Sequence, residues 1–266
     1  MPYKAEISSA NPSCFLFLID QSTSMAEEVS AGEATQQKAM GVANSINRWL
    51  QELSIKCSKS DGVRDYYHVG VIGYGMKVQP CLAGSNGHTM IPISEIANNP
   101  ARVEGDDGPR TPIWFDAVAD GGTPMCRAVS EAEQIIQGWL EAHPDGFPPI
   151  VIHITDGEAT DGDPTDRLHH LTNLATSDGN VMLFNIHLSA HPGATSLSFP
   201  SDAKQLPDEY SKMLFETASL LTPTMRALAK EYGFETSEGS RGFVLNADMT
   251  VLVQAIDIGT RPSNLR

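Results

Sequence analysis

The stretch Ser13-CFLFLIDQSTS-Met25 sets six consecutive apolar residues, Cys14 to Ile19, against one acid and two serines on alternate positions. An unbroken apolar run of this length, rather than an alternating one, is the pattern of a strand covered on both faces, as in a parallel sheet. A turn after the strand calls for polar residues, but it does not call for oxygen side chains at Asp20, Ser22 and Ser24. An extended turn aims alternate side chains the same way, so this spacing gathers three oxygens.

Working outward, the apolar positions Ala39, Val42, Ala43, Ile46, Leu50 and Leu53 recur at three and four, which predicts an amphipathic helix over Gln36 to Leu53 after a polar link reaching Ala34. Tyr66 to Tyr74 reads as a second strand, and 75–112 as loops holding a short edge strand. Beyond Gly121-Gly122-Thr123-Pro124 a second helix is expected to about Ala142, on the stripe Met125, Ala128, Val129, Ala132, Ile135, Ile136 and Trp139. PPIVIHIT supplies a buried strand ending at Thr155-Asp156-Gly157. A helix from Asp163-Pro164 through Ala175 follows, then strands over Val181 to Leu188 and Gly242 to Asn246. Strand and helix alternate throughout. The fold class expected is therefore α/β, with a doubly wound, mostly parallel central sheet and helices on both faces.

A chain of 266 residues can bury one full core, and the expected division is a tail over 1–12, a single domain over 13–258 and a tail over 259–266. No stretch approaches the roughly 20 apolar residues of a membrane span, and the N-terminus lacks the apolar segment of a secretory signal, so a cytoplasmic protein is expected. Thirty-three acids against eighteen bases give a formal charge of −15, which argues against nucleic acid and anionic membranes as partners. The four cysteines, Cys14, Cys57, Cys81 and Cys126, form no C-x-x-C pair and are expected as reduced thiols, with a Cys57–Cys81 disulfide as the alternative.

In an open α/β sheet, ligands bind beyond the carboxyl ends of the strands where the winding direction switches. Asp20, Ser22 and Ser24 follow the first strand, Asp156 follows the strand after the GGTP helix, and Thr123 opens that helix. Two carboxylates and three hydroxyls without thiolate or imidazole form a hard-oxygen set suited to Mg²⁺ or Mn²⁺, with Ca²⁺ a poorer fit.

These five positions resemble the metal-ion-dependent adhesion site of von Willebrand factor type A domains, a Rossmann-like family. The family pattern is D-x-S-x-S, then a distant Thr, then a distant Asp. Here it reads Asp20-Gln21-Ser22-Thr23-Ser24, Thr123 within GGTPM, and Asp156 within ITDGE. The GGTP form is most similar to stand-alone bacterial members, including some associated with tellurite resistance. The resemblance spans roughly Ser13 to Ile258 and departs from a minimal domain in enlarged segments at 75–112 and 190–240. It implies that Ser22, Ser24 and Thr123 contact the cation directly or through water, and that Asp20 and Asp156 bind directly or from behind these hydroxyls. It further implies a protein partner that supplies an Asp or Glu to the metal, in a signalling or stress-response setting.

Other readings of the same residues compete. Asp20, Ser22 and Ser24 are also ordinary turn and capping residues, and Thr123 is placed to cap a helix with Pro124 at its first position. Glu158, Asp161 and Asp163 invite a second cation site, but helix caps explain them better. His68, His153 and His187 lie in three separate strands and are expected as hydrogen-bonded core residues rather than a zinc site. Tyr210, Met213, Leu214, Thr217 and Leu221 form a stripe expected to face the core. For the whole protein the alternative is a Mg²⁺-dependent phosphatase or phosphotransferase using Asp20. Ser22 stands where such phosphatases usually carry a second Asp, and no phosphate-binding G-x-x-x-x-G-K loop is present, so a non-enzymatic module is preferred. A third possibility is a scaffold whose site no longer binds metal.

Overall fold

A computed structural model of the chain describes residues 3–31, 34–83, 88–105, 110–188 and 195–261. The central sheet has eight strands: β1 (Ser13–Asp20), β2 (Tyr67–Tyr74), β3 (Val78–Pro80), β4 (Ile91–Pro92), β5 (Ile150–Thr155), β6 (Met182–Leu188), β7 (Leu197–Ser198) and β8 (Phe243–Ala247). Their order is β7-β8-β6-β5-β1-β2-β3, with β4 also paired to β2. The pairs β1–β2, β1–β5, β5–β6 and β6–β8 are parallel. The short outer strands β3, β4 and β7 run antiparallel to their neighbours. From β1 the chain moves to β2 on one side and later returns to β5 on the other. The winding direction thus switches between β1 and β5, and the doubly wound architecture expected from the sequence is the one observed.

Helices cover both faces: α1 (Lys38–Cys57), α2 (Ile93–Asn98), α3 (Met125–Ala142), α4 (Thr165–Asn173), α5 (Glu209–Thr217), α6 (Pro223–Glu231) and α7 (Met249–Gly259). All eight residues of β1 are buried, which explains its unbroken apolar run. Its odd positions Phe15, Phe17 and Ile19 pack in one core with Val42, Ile46 and Leu50 of α1 and Leu252 and Ile256 of α7. Its even positions Cys14, Leu16 and Leu18 pack in a second core with Met125, Val129 and Ile136 of α3 and Leu168 of α4. Each fully buried large side chain contributes about 1.5–3 kcal/mol, so β1 anchors both layers at once.

Several elements lie outside the sequence expectation. The polar link before α1 forms an antiparallel hairpin, Glu28–Ala31 with Ala34–Gln37, and α6 and α7 were not anticipated. Within 75–112 the expected edge strand is β3, joined by β4, α2 and a small hairpin of Arg102–Glu104 with Thr111–Ile113. The segment 190–240 holds β7, α5 and α6, and its residues 190–194 lie outside the described residues, as do 262–266 of the C-terminal stretch. Ile7 is fully buried, and the amides of Lys4 and Ala5 donate to the Asp178 carboxylate, so residues 3–12 lie against the domain. All four cysteines are free, and the Cys57–Cys81 pairing does not form. Among the described residues no helix is long and apolar enough to cross a membrane.

Candidate metal centre

Where β1 ends, Asp20 Oδ1 accepts the amide of Ser22 at 2.8 Å, folding the chain back in a tight polar turn. The other oxygen, Oδ2, accepts the hydroxyl of Thr155 at the end of β5, also at 2.8 Å. Ser22 stands at the N-cap position of the 3₁₀ turn Thr23–Ala26 but makes no side-chain cap bond there. Its Oγ instead lies 3.0 Å from Ser24 Oγ. Ser24 donates onward to Asp156 Oδ1 at 2.8 Å. Asp20 therefore serves the turn, whereas the two serine hydroxyls reach across the switch point toward Asp156.

Thr123 is brought to the same end of the sheet by backbone contacts. Thr23 donates from both its amide and its hydroxyl to the carbonyl of Gly121, at 3.0 and 3.1 Å. Asp120 N donates to the carbonyl of Gln21 at 2.7 Å, and Met76 N to that of Asp120 at 2.9 Å. Gly121 has φ +92°, and a Cβ there would meet Met76 N at 2.4 Å, so this close approach requires glycine. Thr123 does not cap α3: the N-cap is Pro124, with no side-chain cap bond. The cap comes from another loop, where Asp161 accepts the amides of Cys126 and Arg127 at 2.9 and 3.0 Å. Thr160 and Thr123 clasp each other, Thr123 N donating to Thr160 Oγ1 at 3.0 Å and Thr160 N to the Thr123 carbonyl at 2.9 Å. Asp163 accepts from the amide and hydroxyl of Thr165 at the start of α4. Asp161 is thus occupied as a cap, of α3, and Asp163 by Thr165; the N-cap position of α4, for which the sequence offered Asp163, is Pro164 with no side-chain cap bond.

One residue that sequence reasoning missed completes the cluster. Lys38, the first residue of α1, is fully buried, and its Nζ lies 2.8 Å from Asp156 Oδ2 and 2.8 Å from Glu27 Oε2. Nothing in TQQKAM separates this lysine from an ordinary helix-surface lysine.

The two carboxylates therefore differ. Asp156 is ion-paired, whereas Asp20 is fully buried with hydrogen-bond donors but no ion-pair partner among the described residues. Burial pushes the Asp20 carboxyl up to about 6, against the opposing pull of its hydrogen bonds from Ser22 and Thr155. A buried carboxylate without a counter-charge is costly, and a cation beside it removes that cost. The hydroxyl geometry fits a small hard ion as well. Oxygens about 2.1 Å from Mg²⁺ in an octahedron lie about 3.0 Å apart on adjacent vertices. Ser22 Oγ and Ser24 Oγ have that separation, and Ser24, donating its proton to Asp156, keeps lone pairs for a cation.

The histidines do not converge. His153 Nδ1 donates to Asn185 Oδ1 at 2.9 Å, because the Asn185 amide nitrogen is spent on Leu214 O and Thr217 Oγ1. His153 Nε2 then accepts from the Tyr74 hydroxyl at 2.7 Å. Among the described residues no three His, Cys, Asp or Glu side chains gather as a metal site. Of the stripe read from the sequence, Leu214 and Thr217 of α5 and Leu221 beyond it are buried, and Tyr210 and Met213 pack against the core. The Tyr210 hydroxyl also donates to the carbonyl of Gly157 at 2.5 Å, beside Asp156.

No family model matches the sequence, and a comparison with curated proteins finds no match. Among solved structures the chain is similar to proximal thread matrix protein 1 from the mussel byssus with a zinc-occupied MIDAS motif: 12% identity, TM-score 0.49, covering 98% of this chain and 50% of that one. It is similar also to VWA2, the ArnB paralog of Sulfolobus acidocaldarius, at 14% identity and TM-score 0.38, covering 69% of this chain and 36% of that one. A third is the vWF domain of the pili tip protein Mfa5 from Porphyromonas gingivalis, at 14% identity and TM-score 0.34, covering 56% and 39%. The chain spans at most half the length of these proteins. The likenesses are distant.

Proposed function

We propose that the chain is a von Willebrand factor type A module in which Asp20, Ser22, Ser24, Thr123 and Asp156 hold a divalent cation, and that it binds a protein partner through an Asp or Glu of that partner. The observation that carries this reading is the hydrogen-bond chain from Ser22 through Ser24 to Asp156 beside the uncompensated Asp20 carboxylate. The donor set favours Mg²⁺ or Mn²⁺, and Ca²⁺ would sit in it less well. When bound, the cation supplies a Lewis-acidic coordination position for an external carboxylate. The chain's own residues orient the hydroxyl lone pairs, keep Asp20 ionised and hold the three loops together. A cytoplasmic setting accords with four free thiols.

Full burial of Asp20, with both oxygens accepting hydrogen bonds, supports binding over a phosphoryl-transfer role, because a nucleophile must reach its substrate. The test is calorimetry with Mg²⁺ and Mn²⁺ on the wild type and on Ser22→Ala/Ser24→Ala, run beside a phosphatase assay. Single-site binding lost in the double variant, without turnover, is expected. Absence of metal-dependent heat would overturn the reading, and turnover abolished by Asp20→Asn would move it to the enzyme.

A further inference from the structure

The buried charges at the site comprise more than the two carboxylates visible in the sequence. Among the described residues, Asp20 and Asp156 contribute two negative charges and Lys38 one positive charge, so this buried set carries a net −1. Glu27, the second partner of Lys38, has a side chain 55% exposed and remains solvated. A divalent cation turns the buried total from −1 to +1. Without Lys38 the same cation would bring it to zero, and an incoming anion would then bury surplus negative charge.

Lys38 also determines how Asp156 can act. Asp156 Oδ2 is held by Lys38 at 2.8 Å, and Oδ1 by Ser24 at 2.8 Å. The carboxylate is fixed from both sides, and it acts on a cation through the Ser24 hydroxyl unless it leaves Lys38. The ammonium is hydrogen-bonded to Asp156 and Glu27 and fully buried, which holds it at the site when a metal arrives.

We propose that Lys38 is the resident cation of this site: it anchors Asp156 behind Ser24 and leaves the metal-loaded loops with a surplus positive charge that an external anion completes. This rests on the metal-binding reading above. Lys38 is a positioning residue and sets specificity for an anionic ligand. Its presence has a cost, because it weakens metal uptake by like-charge repulsion. It also has a benefit, because it keeps Asp156 compensated when no metal is bound.

The test uses Mn²⁺ alone, then acetate as the carboxylate probe, on the wild type, Lys38→Gln and Lys38→Arg. Gln keeps a donor toward Asp156 without charge, and Arg keeps the charge. Free Mn²⁺ is followed by its electron paramagnetic resonance signal, and acetate uptake by the loss of water relaxation at bound Mn²⁺. Lys38→Gln is expected to bind Mn²⁺ at least about tenfold more tightly than the wild type, as removal of a nearby like charge requires. It should also take up acetate more weakly, while Lys38→Arg resembles the wild type in both. If Lys38→Gln binds Mn²⁺ equally or more weakly, or takes up acetate as well as the wild type, the role of Lys38 falls and metal binding stands. If the wild type binds no Mn²⁺, both fall. Should Lys38→Gln fold only with Mn²⁺ present, the metal is replacing the lost ammonium and the proposal is supported. Should it not fold at all, Glu27→Gln decides. That change gives Lys38 wholly to Asp156, so Mn²⁺ affinity should drop several-fold, and unchanged affinity would overturn the proposal.

Discussion

Thr155 donates its hydroxyl to Asp20 Oδ2 at 2.8 Å, which ties the ends of two neighbouring parallel strands at the point where the sheet reverses its winding. Replacing it by valine keeps the shape and removes the donor. Thr155→Val should lower stability by about 1–3 kcal/mol, the usual cost of leaving a buried acceptor short of a donor. It should also weaken metal binding, because the carboxylate loses a bond that favours its charged form. Urea denaturation and Mn²⁺ titration measure the two effects. Unchanged stability would mean that water replaces the hydroxyl.

A second prediction concerns pH. Burial lowers His153 to about 4, with the Asn185 bond opposing, from 6.5 in the unfolded chain. Its contribution to stability is present above 6.5 and is lost as the pH falls toward 4, roughly 3 kcal/mol in all. Asp20 has the opposite sign. Raised from 3.8 to about 6, it contributes stability that is present below 3.8 and is lost as the pH rises through 6. The two oppose each other in the metal-free protein. A cation that competes with the proton at Asp20 removes the second contribution and leaves the first. Acidification from pH 7 to 5 should therefore destabilise the metal-loaded protein more than the metal-free one, as read from urea midpoints with Mn²⁺ and with chelator.

Asp161 caps α3 from a loop distant in sequence, so its effect should be structural. Asp161→Ala should cost about 1–2 kcal/mol, in line with the loss of a helix N-cap. Thr123 lies just before that helix, so metal affinity should fall modestly as well. Asp161→Asn, which keeps an acceptor, should recover most of the stability. Thermal melts of the two variants check this.

Asp156→Ala removes more than a candidate ligand. The residue stands at a strand end, where a substitution would ordinarily leave the core untouched, but here it leaves the buried Lys38 with Glu27 as its remaining ion-pair partner among the described residues. A loss of about 3 kcal/mol is expected, the lower end for breaking a buried pair, because Glu27 remains. Lys38→Met/Asp156→Ala should regain part of it. If the double variant is no more stable than the single one in denaturant titration, the pair contributes nothing beyond its packing.

The sequence made the fold class legible, and with it the placing of Asp20 and Asp156 at strand ends, because both are written in short-range pattern. An unbroken apolar run marks a doubly covered strand, and a polar residue directly after it marks the sheet end where ligands bind. Lys38 left no such mark, since its charge matters only because the start of α1 lies beside the end of β5. The same holds for Asp161, which caps α3 rather than the helix that follows its own loop. The helix Met249–Gly259 was missed for a different reason. Its residues MTVLVQAIDIG are apolar on most sides, follow a strand closely and carry a weak periodic signal.

The site is assembled from residues far apart along the chain: Ser24 and Asp156 are separated by 132 positions, Thr155 and Asp20 by 135, and Lys38 and Asp156 by 118. No local hairpin or helix contains even a partial version of it that includes Asp156. A cation offered to the nascent or unfolded polypeptide therefore finds no prepared cage, and it cannot act as a seed for collapse as metals do in small zinc domains. Pairing of β1 with β5 must come first, after the closure of a loop of more than a hundred residues. Metal added during refolding should leave the folding rate nearly unchanged and slow unfolding instead, so the ion would guard a finished molecule rather than help to build it.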